Sequence, residues 1–119
     1  GLGHITTFGG HPVCAAAAYA TLKTLTNENI IEKVEMKGKR FFENLQHKSI
    51  HSIRGKGLFL SVELKSEKLL DKFMQKAIEK GLIFDKFLFN LKRFRIAPPL
   101  VITDEEIDKA CTLILDCLE

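Results

Sequence analysis

Apolar residues change their rhythm several times along this chain of 119 residues. The opening stretch, GLGHITTFGGH (1–11), has no helical or alternating period. Leu2, Ile5 and Phe8 give it apolar anchors, so it reads as an ordered loop rather than a linker. Pro12 follows at a first helical position, where its missing N–H does no harm. The run VCAAAAYATLKTL (13–25) is rich in alanine, the best helix former, and its small side chains suit a helix sandwiched between other elements. Thr26 and Asn27 interrupt it. Asn27 is a candidate N-cap for a second helix, with Glu28 facing the positive end of the helix dipole. Ile30, Ile31, Val34, Phe41, Phe42 and Leu45 then recur at near-helical spacing to about residue 47. Lys33, Lys37, Lys39 and Arg40 lie mainly between them and face solvent.

Residues 50–64 shift to a period of two. Leu58, Leu60, Val62 and Leu64 alternate with Phe59, Ser61 and Glu63, which predicts one strand with a strongly apolar face after a bend at Gly55-Lys56-Gly57. Ser66 opens a third helix whose buried stripe is Leu69, Leu70, Phe73, Met74, Ala77 and Ile78, with Gly81 closing it. Short apolar runs follow at 82–84 and 87–89. Arg93-Phe94-Arg95-Ile96 alternates again until Ala97-Pro98-Pro99 stops the strand. Thr103, with Glu106 three residues on, forms a capping box. The last helix buries Ile107, Ala110, Cys111, Ile114, Leu115 and Leu118. The predicted order is loop, helix, helix, strand, helix, strand, strand, helix: an α+β domain with helices on one face of a small sheet.

Composition narrows the function classes. Apolar residues make up 45% and charged residues 28%, as in ordinary globular proteins rather than disordered ones. The net charge is +3 and no single-sign block reaches five residues, so there is no electrostatic footprint for nucleic acid or a membrane surface. No apolar run approaches the ~18 residues a membrane helix needs, and no signal peptide is visible. The chain opens Gly-Leu-Gly without an initiator Met, which suggests a processed chain, an expression product or a piece of something larger. Cys14, Cys111 and Cys117 are odd in number and lack a C-x-x-C, so a disulfide framework and a zinc site are both poor readings. A reducing, cytoplasmic setting is expected.

Two groups of residues are candidates for chemistry. Thr6 and Thr7, with Gly9 and Gly10 before a helix, can meet an anion through hydroxyls and close backbone N–H groups; the plainer reading is a glycine turn with a threonine cap. Arg93 and Arg95 share one sheet face, Phe94 and Ile96 the other. An arginine near a strand end can fork a carboxylate with two hydrogen bonds; the plainer reading is a solvated strand face. Arg54-Gly55-Lys56-Gly57 precedes its strand, so it reads as a bend rather than a phosphate loop. His47 and His51 fall at a helix end and a strand start and are expected on different faces, and His4 and His11 lack carboxylate partners, so no metal site is expected. The cysteines read as packing residues, and no nucleophile has a relay.

Three blocks in register resemble the class III, ornithine/acetylornithine-type aminotransferases that depend on pyridoxal phosphate. His4-x-Thr6-Thr7-Phe8-Gly9-Gly10-x-Pro12 before an alanine-rich helix is similar to the family's cofactor-phosphate loop. Arg54-Gly55-Lys56-Gly57-Leu58-Phe59, ending in Val62-Glu63, resembles its Arg-Gly-x-Gly-Leu strand. Arg95-Ile96-Ala97-Pro98-Pro99-Leu100-Val101-Ile102-Thr103 resembles its C-terminal signature. The resemblance implies that residues 28–119 are the C-terminal small domain of a fold-type I enzyme, with a small antiparallel sheet and helices on one face. Residues 1–27 would be the end of the large domain and a connecting helix. It implies that Thr7, with Thr6 beside it, binds the cofactor phosphate of the neighbouring subunit in a homodimer. Arg95 would bind the substrate α-carboxylate, or pair with an acidic residue until substrate arrives. The family's Schiff-base lysine, pyridine-nitrogen aspartate and ring-stacking aromatic all precede the first block, so this chain would hold no catalytic residue and be inactive alone. The parent enzyme would move an amino group from ornithine, acetylornithine or a similar ω-amino acid to 2-oxoglutarate. A stand-alone, non-catalytic interaction module derived from the small domain is the alternative. Two departures stand out: His11, where the family usually has Asn, and the aromatic stretch Phe84-Asp85-Lys86-Phe87-Leu88-Phe89.

Overall fold

The structure, a computed structural model, describes residues 6–119; Leu2, His4 and Ile5 of the opening loop lie outside the described residues. The chain divides into two compact units, Gly1–Glu32 and Lys33–Glu119.

Helix α1 (Pro12–Asn27) begins at the proline, as its sequence predicts. It buries none of its residues. The expectation of a sandwiched helix rested on its small side chains, and the neighbours they would suit are not among the described residues. The expected N-cap at Asn27 is also corrected. Thr26 does not break the helix, because its hydroxyl bonds back to the carbonyls of Leu22 and Lys23, each at 3.0 Å. The helix therefore runs through Asn27 and ends at Glu28, whose N–H donates to the Thr24 carbonyl. Asn29 makes the corner with φ +50°, a left-handed conformation that asparagine tolerates better than most residues. Helix α2 (Ile30–Asn44) follows at once.

The second unit is built on a four-stranded antiparallel sheet in the order β1-β2-β4-β3. The single strand expected over 58–64 is a hairpin: β1 (Ile50–Lys56) and β2 (Phe59–Leu64), joined through Gly57 and Leu58. β1 escaped notice because a register shift between Ile50 and Ser52 spoils its alternation. The Arg-Gly-Lys-Gly segment thus forms the hairpin's tip. Gly57 adopts φ +53°, as primed two-residue turns require at their first position. A Cβ on Gly38 of α2 would lie 2.2 Å from the Gly57 carbonyl oxygen, so helix and hairpin touch backbone to backbone.

Ser66 caps helix α3 (Glu67–Glu79) through the Leu69 N–H. Its far end closes as a Schellman motif: Gly81 has φ +80°, its N–H donates to Ile78, and the Leu82 N–H reaches the Ala77 carbonyl. Strands β3 (Asp85–Phe87) and β4 (Asn90–Ile96) form the other hairpin. β4 starts earlier than Arg93, since pairing with β3 extends it beyond its alternating part. The Pro98-Pro99 segment turns at 99–102, where the Ile102 N–H meets the Pro99 carbonyl. Helix α4 (Asp104–Leu118) carries both halves of the expected capping box on Thr103 and Glu106.

One sheet face takes α2, α3 and α4. Its core joins Phe41 and Leu45, the inward row of β2, Leu70 and Phe73, Phe94 and Ile96, and Ile107, Cys111 and Ile114. The Phe73 and Phe94 rings stack at 4.5 Å between centroids, with Phe84 tilted against both. At the surface, Arg40 of α2 forks Asp108 of α4 with two bonds of 2.7 and 2.6 Å, and Asn44 adds a third at 2.8 Å. Lys37 donates to the Leu100 carbonyl and ties α2 to the loop after β4. Packing one apolar face this way leaves the opposite sheet face to polar and aromatic side chains.

Candidate functional site

The loop and the sheet each hold part of the candidate chemistry. In the first unit Thr6 and Thr7 are exposed just before α1. The His11 N–H donates to the Phe8 carbonyl at 3.1 Å, closing a four-residue turn. Gly10, third in that turn, has φ +78°, which favours glycine. A Cβ on Gly9 would lie 2.3 Å from the Thr6 Oγ1, so the hydroxyl occupies space that only a glycine leaves. His11 supplies the N-cap of α1: its Nδ1 accepts from the Val13 N–H at 3.3 Å. An asparagine side chain would do the same through its carbonyl, so this substitution leaves the turn and its cap intact.

In the second unit Phe94 and Ile96 face the core, and Arg93 and Arg95 project from the other sheet face. The two arginines differ in their partners. Arg93 pairs with Glu63 across the β2–β4 ladder and donates to the Ser61 Oγ at 3.1 Å. Glu63 also accepts from the Ser52 hydroxyl at 3.0 Å. That hydrogen bond first, and then the charge of Arg93, hold the Glu63 carboxyl below the usual carboxylate range against the opposing effect of burial.

Arg95 has no such partner. Its guanidinium carbon lies 5.5 Å from the centre of the Phe59 ring and 5.4 Å from that of Phe87. Phe59 comes from β2 on one side of β4, and Phe87 from β3 on the other. Both distances are within cation–π range. Nε is buried and has no hydrogen-bond partner among the described residues. The nearest acid, Asp85, is 3.9 Å from Nη1 and three-quarters exposed, a pair of little strength. Arg95 and Asp85 also line a cavity of about 350 Å³ whose other walls are largely apolar, among them Phe84, Pro98 and Ile114. The arrangement presents a fixed cation whose Nη donors are not consumed by a close carboxylate.

Phe59, Phe87 and Asp85 were absent from the sequence-derived site. Their signals were present: Phe59 is two residues before the strand partner of Arg95, and the aromatic surplus at 84–89 supplies Phe87. The other candidates fall elsewhere. His47 and His51, expected on different faces, line one cleft of about 240 Å³. Among the described residues no three metal-binding side chains converge. No helix of the described chain is long and apolar enough to cross a membrane. Cys111 and Cys117 are buried and Cys14 is exposed. Thr6 and Thr7 lie in the first unit and Arg95 in the second.

The fold and these three motifs coincide with one family. The model of the class-III aminotransferases matches residues 1–118, and the chain belongs to that family. Its relatives include the acetylornithine aminotransferase of Caldanaerobacter subterraneus, 41% identical over 97% of this chain and 30% of that protein. The ornithine aminotransferase of Plasmodium yoelii is 38% identical over 94% of this chain and 28% of its own length. Among solved structures, Plasmodium falciparum ornithine delta-aminotransferase superposes with a TM-score of 0.82 at 33% identity, over 98% of this chain and 30% of that one. The acetylornithine aminotransferase of Elizabethkingia anophelis gives 0.81 at 28% identity, over 98% and 32%. The chain therefore spans about 30% of the length of these curated relatives.

Proposed function

We propose that this chain is the C-terminal portion of a pyridoxal-phosphate-dependent aminotransferase acting on ornithine, acetylornithine or a similar ω-amino acid, with 2-oxoglutarate as amino acceptor. The names of its relatives support the substrate class. The observation that carries the reading is Arg95: a guanidinium fixed between two rings, beside an Arg93 already committed to Glu63. In this role Arg95 forks the substrate α-carboxylate through its Nη donors and sets the substrate's orientation.

Residues 1–27 are the end of the large domain and the connecting helix, and residues 28–119 are the small domain. The loop fits the phosphate end of the cofactor. Two exposed hydroxyls donate, the glycines keep the backbone approachable, and Gly9 leaves room for Thr6. Thr7, with Thr6 beside it, holds that phosphate for the neighbouring subunit of a homodimer. Pyridoxal phosphate, when bound, supplies the electron sink that aminotransferase chemistry needs. The lysine that carries it belongs to another part of the protein, so the isolated chain is inactive. The protein works in the cytoplasm.

The test is direct. The 119-residue chain mixed with pyridoxal phosphate, ornithine and 2-oxoglutarate should form no glutamate, whereas the longer protein carrying it should. Turnover by the isolated chain, with cofactor fixed at one specific lysine, would refute the assignment. A native protein with the mass of this chain alone and no amino transfer would favour the interaction module instead.

A further inference from the structure

We propose that Phe59 and Phe87 are positioning residues that clamp the Arg95 guanidinium for an incoming carboxylate; the inference rests on the reading of Arg95 as the carboxylate site. β4 lies between β2 and β3, so a ring can reach Arg95 from each side. Arg95 pairs with Ser61 of β2, which puts Phe59 two residues along on the same face, in diagonal reach. On the other flank Arg95 pairs with Asp85 of β3, and Phe87 lies two residues further on, past a register shift. Both ring centres come within 5.5 Å of the guanidinium carbon.

Rings suit this task better than acids. An arginine side chain has many rotamers, and a carboxylate that fixed one would occupy the donors the ligand needs. That is the state of Arg93, held by Glu63 and Ser61. An aromatic face attracts the cation through its quadrupole and leaves the in-plane N–H groups unpaired. With Nε closed off by the protein, the ligand meets Nη1 and Nη2 end-on. Asp85, exposed and 3.9 Å away, is too weakly placed to compete with a forked carboxylate. Phe87, within the aromatic stretch at 84–89, thereby acquires a function.

The experiment follows the arginine Nε–H signals of the nitrogen-15-labelled chain, which has only four arginines. Arg95 should be shifted upfield by ring currents relative to exposed Arg54, and glutarate, used as probe, should move its signal. Phe59→Leu and Phe87→Leu should each raise the glutarate dissociation constant roughly two- to fivefold and reduce the ring-current shift, the double variant should erase that shift, and Phe→Tyr at either site should leave both at their native values. Leucine keeps the apolar contact, and tyrosine covers the case of a leucine variant that fails to fold. Unchanged affinity in both leucine variants, or an Arg95 signal without a ring-current shift in the native chain, overturns the clamp while the carboxylate site stands. An Arg95 signal that glutarate leaves unmoved in the longer protein carrying this chain overturns the carboxylate reading itself.

Discussion

Arg93 and Arg95 occupy one strand and one face, and the structure holds them in opposite ways. Alternation in the sequence put both on the face away from the core, because period two admits no other arrangement. It could not tell which one is committed, since partners come from β2 and β3, many residues away. The cysteines show the same limit. The apolar surroundings of Cys111 and Cys117 were legible; the exposure of Cys14, expected to be a packing residue, was not, and the reactivity of each depends on burial. The Cys111 thiol is pushed up to about 12, first by burial and then by the nearby charge of Asp108. Burial raises Cys117 as well. A disulfide reagent at neutral pH should therefore modify Cys14 rapidly in the native chain, and all three thiols only after denaturation. Reaction of Cys111 at the rate of Cys14 would show that α4 does not pack as described.

At the scale of elements, helices with explicit caps were readable to within a residue or two. Ser66, Gly81 and the Thr103–Glu106 box act where their chemistry demands. The β1–β2 hairpin was not readable, because a bulge hides β1 and its tip is shaped by contact with α2. Nothing local marks Gly38 in a helix of good formers; its reason is the Gly57 carbonyl of another element. Gly38→Ala should accordingly destabilise the fold by about 1–3 kcal/mol, despite alanine's better helix propensity. A denaturant midpoint equal to or above that of the native chain would refute the close contact.

The α2–α4 joint adds a pH dependence. Hydrogen bonding from Arg40 holds the Asp108 carboxyl below the usual range, as Ser52 and Arg93 do for Glu63. Both groups bind a proton less readily folded than unfolded. Their stabilisation is thus fully present above the ordinary carboxylate range and is lost as pH falls below about 4 through the depressed values. Denaturation midpoints measured from pH 7 to pH 3 should fall, and Asp108→Asn should flatten part of that decline. An equally steep decline in the variant would remove Asp108 from the account.

For the whole molecule, two units of unequal make-up share one chain. The second, Lys33–Glu119, has its own apolar core, whereas α1 in the first buries nothing. Chemistry alone read an anion loop and an arginine that could take a carboxylate. Only the resemblance to the family links the two, and it implies that the lysine and the aromatic ring of such a site precede the first matching block. The central claim is that Arg95, and not its neighbour Arg93, takes the carboxylate of the amino-group acceptor. Steady-state kinetics of the longer protein test it most directly. Losing a charged fork costs about 2–3 kcal/mol, so Arg95→Ala should raise the KM for 2-oxoglutarate roughly 30- to 150-fold. Arg93→Ala should lower the melting temperature and move that KM far less. Wild-type KM in the Arg95 variant, or the larger increase in the Arg93 variant, would contradict the assignment.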